Sequence, residues 1–237
     1  MVAFARVFVL TAVVGMAVVH SAAVEAASIN PKPETDRHFL WRAIGPQGVE
    51  VFLLGSIHAL PQDAYPLPDV MEQAFRQARI VAFEVDLEEI DRAAGLMFAA
   101  AALPAGRRLA EELEPETRVE LEEYLSQAGL SFETFTAMRP WMVALTLTTL
   151  ELMKAGYSPD AGIDFHFARR VVEEDKKSIA FENAAFQISL FSQMSKEEEA
   201  AFLRYSLRDL RTIIPQLKEL TDAWKSGDVE VIGNLLT

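Results

Sequence analysis

The stretch Val51-Phe52-Leu53-Leu54-Gly55-Ser56-Ile57-His58 decides how this chain is read. A short apolar run bounded by a turn signal reads as a strand. The glycine at its end lets the backbone bend sharply or approach a ligand closely. Working back, Gly45-Pro46-Gln47-Gly48 is a strong turn signal, and His38 to Ile44 is a second short apolar stretch. Together they predict a β-hairpin whose second strand, Val49 to Leu54, delivers His58 to the rim of a sheet.

Outward from the hairpin, helical spacing covers Asp69 to Ala78. A short apolar strand, Arg79 to Phe83, then ends in Glu84, and Leu87 to Ala102 reads as helix. Pro115 to Ala128 is a polar-faced helix with Gly129 as its natural stop, and Pro140 opens a more apolar helix to Ala155. Ile163 to Glu174 is helical, and Ser178 to Phe181 is another strand, ending in Glu182. Ser195 with Glu198 forms a capping box that opens one long amphipathic helix towards Trp224. This order predicts a helix-rich α/β domain with a central mixed sheet. Val81-Ala82-Phe83-Glu84 echoes Ile179-Ala180-Phe181-Glu182, two strand ends closed by a carboxylate. Ligands of α/β sheets sit at the carboxyl ends of strands.

The start of the chain is different in kind. Val7 to Val19 is an unbroken run of apolar and small residues preceded by Arg6, and small residues follow at Ser21, Ala23 and Ala26. This is the pattern of a secretory signal peptide over residues 1–26. A polar, proline-containing leader over 27–36 and one domain over 37–237 complete the expected organisation. The expected location is therefore periplasmic or secreted, with an uncleaved N-terminal membrane anchor as the alternative. No later segment is apolar for long enough to span a bilayer.

The chain has 237 residues, 51% of them hydrophobic, enough for one sizeable core. Its net charge of −13 and lack of a basic cluster exclude a nucleic-acid footprint. With no cysteine, disulfides, iron–sulfur clusters and thiol nucleophiles are excluded. There is no G-x-S-x-G elbow, no Walker loop, no G-x-G-x-x-G and no H-E-x-x-H.

His58 is a natural general base or metal ligand, although the residues alone leave a plain loop or core histidine open. Glu84 and Glu182 are expensive to bury unless paired or metal-bound, and each is equally readable as a strand end reaching solvent. One imidazole and two carboxylates would suit a divalent ion such as manganese, zinc, cobalt or iron. His166, with Arg170 one turn later, reads as a helix-surface or interface residue. Glu197, Glu198 and Glu199 read as a solvated first helical turn, and Met138, Met142 and Met153 as core.

The ordered series of Leu53-Leu54-Gly55-Ser56-Ile57-His58 with Pro61, Phe83-Glu84-Val85-Asp86, Gly162-Ile163-Asp164, Phe181-Glu182 with Gln187, and Trp224 with Gly227-Asp228 resembles the TraB/GumN family, also called TIKI-type. The resemblance runs from about residue 37 to the end. It implies a fold akin to the erythromycin-esterase-like hydrolases and an exported, metal-dependent, peptidase- or esterase-like hydrolase. His58 and Glu84 would be catalytic, and His58, Glu84 and Glu182 would hold the metal. The expected partners are a peptide, an ester or an envelope component, with no nucleic acid. The family's second G-x-x-H has no counterpart here, so the domain is expected to be truncated at its C-terminus. The alternative is a non-catalytic envelope binding protein or an inactive fragment of such a hydrolase.

Overall fold

The computed structural model describes residues 37–86 and 90–236, so the expected signal peptide and leader lie outside the described residues. The hairpin forms as the sequence predicts. Strand β1 (Leu40–Ile44) runs antiparallel to β2 (Glu50–Leu54), with Leu40 opposite Leu54 and Ile44 opposite Glu50. The turn between them carries Gln47 at φ 63° and Gly48 at φ 75°, a left-handed step that glycine takes without steric cost.

A short β3 (Leu60–Pro61) leads into α1 (Asp69–Gln77) and β4 (Ile80–Val85). Then follow α2 (Ile90–Ala101), α3 (Leu109–Glu112), α4 (Pro115–Ala128) and α5 (Pro140–Lys154). Strand β5 (Tyr157–Ser158) pairs antiparallel with β3. Helix α6 (Ile163–Glu173) precedes β6 (Lys177–Glu182), which pairs parallel with β4. The chain continues as α7 (Ala184–Ser192), α8 (Lys196–Asp209), α9 (Ile213–Ser226) and α10 (Val229–Leu236).

Local chemistry accounts for many of these ends. Gly129 stops α4 at φ 70°, and Ser195 and Glu198 form the reciprocal capping box of α8. The core is mostly helical: Trp141 and Leu147 of α5, Leu121 and Leu125 of α4, Leu203 of α8, and Leu220 and Trp224 of α9 are all buried. Among the described residues, no helix is long and apolar enough to cross a membrane.

The helix-rich α/β class holds, with three differences of detail. The expected central mixed sheet is divided: among the described residues the strands form three separate two-stranded pairs. Trp41, Ile44, Val51 and Leu53 of the hairpin, and Ile80, Ile179 and Phe181 of the parallel pair, remain exposed. The long helix towards Trp224 is two helices, α8 and α9, broken between Asp209 and Ile213. Pro215 is the reason: it has no N–H to continue the ladder, and its ring would clash with the carbonyl four residues back, so it is tolerated only in a first turn. Finally, Glu199 is buried rather than solvated, and Met153 is exposed while Met138 and Met142 pack on the core.

Candidate active site

Hydrogen bonds to the backbone on either side of the motif set His58 in place. Beyond the end of β2, Gly55 N donates to Phe39 O and Gly55 O accepts from Trp224 Nε1, both at 2.8 Å. Ile57 is fully buried, and its carbonyl accepts from Ile163 N at 2.9 Å. This brings the segment before α6 directly onto the histidine. A Cβ on Gly162 would lie 2.3 Å from His58 O and 2.9 Å from Pro159 O. Space, not backbone angle, demands glycine there, since the Gly162 φ is an ordinary −63°.

The same approach places Asp164, in the first turn of α6, against the motif. His58 Nδ1 hydrogen-bonds Asp164 Oδ2, and the Ser56 hydroxyl donates to Asp164 Oδ1. Against a carboxylate, Nδ1 carries the hydrogen, which leaves Nε2 as the basic nitrogen of the ring. Asp164 thereby fixes both the tautomer and the plane of the imidazole, and Ser56 fixes Asp164.

Electrostatics follow from this geometry. Burial opposes the imidazolium, but the hydrogen bond and charge of Asp164, with a contribution from Glu84, outweigh it, so His58 titrates above its ordinary value. Burial likewise opposes ionisation of Asp164, yet His58 and Ser56 hold it below the usual carboxylate range. Glu84 is pushed up, first by burial and also by the negative charges of Asp164 and Glu182, against the pull of His58. Tyr65, whose hydroxyl donates to Ala161 O at 2.8 Å, is pushed up to about 12, chiefly by burial. It therefore remains a hydrogen-bond donor near neutral pH.

The two strand-end glutamates are not equivalent. In the parallel register Ala82 lies beside Ile179, Phe83 beside Ala180 and Val85 beside Glu182. The repeated Ala-Phe-Glu is thus out of step by one residue. Successive side chains of a strand point to opposite faces, so Glu84 and Glu182 point to opposite faces of the pair. Glu182 Oε2 accepts from Gln187 Nε2 at 2.5 Å. A cavity of about 290 Å³ lies between α6 and this pair, lined by Phe83, Phe165, Arg169, Val172 and Ala180.

The charge of Glu84 helps to raise His58, and that of Glu182 helps to raise Glu84. Among the described residues no group of three or more His, Asp or Glu side chains is arranged to hold a metal ion. Among the described residues His58 Nε2 and Glu84 are the donors left on the histidine side, short of the three protein ligands that a catalytic metal centre usually has. His166 packs as an interface residue, with Nε2 3.4 Å from Glu72 Oε1 and its ring 4.9 Å from that of Tyr65. Sequence reasoning gave no role to Ser56 or Asp164. The signal for Asp164 was its place in Gly162-Ile163-Asp164, a carboxylate in a helix's first turn, but nothing local ties it to His58.

Comparison with known proteins agrees with the ordered motifs. The uncharacterized protein YbaP of Escherichia coli (strain K12) is 26% identical over 190 residues, covering 79% of this chain and 69% of the relative. The uncharacterized protein YbaP of Shigella flexneri matches over the same extent at the same identity. No solved structure matches the chain significantly. The model of the TraB/PrgY/gumN family matches residues 39–236, so the chain belongs to that family.

Proposed function

We propose that this protein is an exported hydrolase of peptide or ester bonds in which His58 activates water. The observation that carries the reading is the linked Ser56, Asp164 and His58. A water held at His58 Nε2 gives up its proton to the imidazole as its oxygen adds to the substrate carbonyl. Asp164 and Glu84 stabilise the imidazolium that forms, which then returns the proton to the departing amine or alcohol. A positioned base of this kind supplies about 10²–10⁴-fold in rate. The active form holds His58 neutral, so hydrolysis rises as pH passes through its raised value.

The resemblance adds a divalent ion shared by His58, Glu84 and Glu182. The strand register, which turns the two glutamates to opposite faces, weighs against that ion. The same observation favours the binding-only reading, in which the cleft holds an envelope component without cleaving it.

The test is hydrolysis of p-nitrophenyl esters and fluorogenic peptides by the wild type and His58→Ala. Each is assayed after chelation and after return of Mn²⁺, Zn²⁺ or Co²⁺. Hydrolysis by the chelated wild type, lost in His58→Ala, supports the imidazole reading. Activity only with returned ion restores the metal reading, and none in any condition leaves the binding protein. Mass spectrometry of the N-terminus after expression with its native leader tests export, with processing expected after residue 26.

A further inference from the structure

A second concave site lies apart from the His58 motif, where the end of α2, the residues around α3 and the starts of α5 and α8 converge on a cavity of about 440 Å³. Its wall includes two carboxylates almost wholly removed from solvent, Glu112 at 6% and Glu199 at 4% exposure. Arg139 donates to Glu199 Oε1 through both Nε, at 3.0 Å, and Nη2. The other oxygen, Glu199 Oε2, is buried with no hydrogen-bond partner. Arg107 Nη2 is 2.6 Å from both Glu112 oxygens but aligned only with Oε2, and Lys196 Nζ is 3.4 Å from Oε2. Arg107 and Lys196 are half-exposed, so the cavity meets solvent along a cationic rim.

A scaffold gains little from this arrangement. Buried ion pairs are commonly no better for stability than apolar packing of the same volume. A carboxylate oxygen buried without a donor is a direct cost. Polar groups brought from separate elements to one concavity are the signature of a ligand site, and the volume falls within the usual range of about 300–1,000 Å³. The chemistry narrows the ligand. Glu199 Oε2 calls for a donor, preferably cationic. Arg107, Arg139 and Lys196 outnumber Glu112 and Glu199 by one charge, and Lys196, half-exposed and donating also to Glu111 O at 2.8 Å, is the cation left to meet an anion.

We infer that this cavity binds a free α-amino acid, with its ammonium group on Glu199 and its carboxylate on the rim formed by Arg107 and Lys196. The site stands independently of the proposed hydrolysis. The full chain is titrated calorimetrically and melted with glycine, L-alanine and L-leucine, with ethylamine and acetate as single-charge probes. At least one amino acid binds and raises the melting temperature by several degrees, while ethylamine and acetate bind at least tenfold more weakly. Lys196→Met weakens binding at least tenfold, Glu199→Gln abolishes it, and His58→Ala leaves it unchanged. If Glu199→Gln does not fold, the half-exposed Lys196 variant carries the test. No binding by any amino acid, equal binding by ethylamine or acetate, or binding untouched by Lys196→Met overturns the inference and leaves a hydrated structural ion-pair cluster.

Discussion

The two sides of the candidate active site are built in opposite ways. On the histidine side the backbone is closed: Gly162 lies against His58 O, Ile57 bonds Ile163, and Trp224 bonds Gly55. On the glutamate side, β4 and β6 pair only with each other among the described residues, and Phe181 beside Glu84 is 71% exposed. The direction of the basic nitrogen is therefore a property of the packed fold. The placement of the acidic groups depends on a ladder with an uncovered face, which is where a bound partner or substrate has most to reorder.

The comparison is broken most directly at Asp164. Asp164→Asn is expected to lower kcat/KM by about 10²–10⁴-fold, because an amide neither selects the Nδ1–H tautomer nor stabilises the imidazolium. The rising limb of its pH–rate profile should move to lower pH, since Asp164 holds the His58 pKa up. An unmoved limb would show that another group titrates. Gly162→Ala comes next, at about 1–3 kcal/mol of stability by urea unfolding, because its Cβ meets His58 O at 2.3 Å. Gly95 of α2, where an added Cβ meets nothing within 4 Å, is the control: Gly95→Ala should be neutral or stabilising by up to about 1 kcal/mol.

Trp224→Phe should cost about 1–3 kcal/mol, since Gly55 O loses its donor. The pH dependence of stability sharpens the same contrast. His58, raised in the fold, contributes fully below its ordinary 6.5, and the contribution is lost as pH rises through the folded value. Asp164, lowered in the fold, contributes above 3.8, and this is lost as pH falls through its folded value. The advantage of the wild type over Asp164→Asn should thus be greatest between those limits and shrink on both sides, which melts across pH will show. The smallest effects belong to the open side. Glu84→Gln should move the rate limb slightly to lower pH, and Glu182→Gln should change stability by less than about 0.5 kcal/mol.

What the sequence made legible was local. The hairpin turn, the Gly129 stop and the Ser195–Glu198 cap are each written within a few residues, and each stands in the structure. What it hid depends on packing between distant segments. Strand register is one case, because a one-residue slip turns every side chain over. The matching Ala-Phe-Glu ends look interchangeable, yet Ile179 lies beside Ala82 rather than Val81. Asp164 is another, since its partner His58 is 106 positions earlier. Glu199 is a third: a run of three glutamates reads as solvated until the neighbouring helix supplies Arg139.

The bond from Trp224 to Gly55 also has a meaning in time. Its partners are 169 positions apart. At a synthesis rate of about 5–20 residues per second, the histidine loop waits about 10–30 s for the tryptophan that closes it. During that interval the ribosome has made the motif but not the tryptophan, so the chain passes its early life with Gly55 O lacking its indole donor.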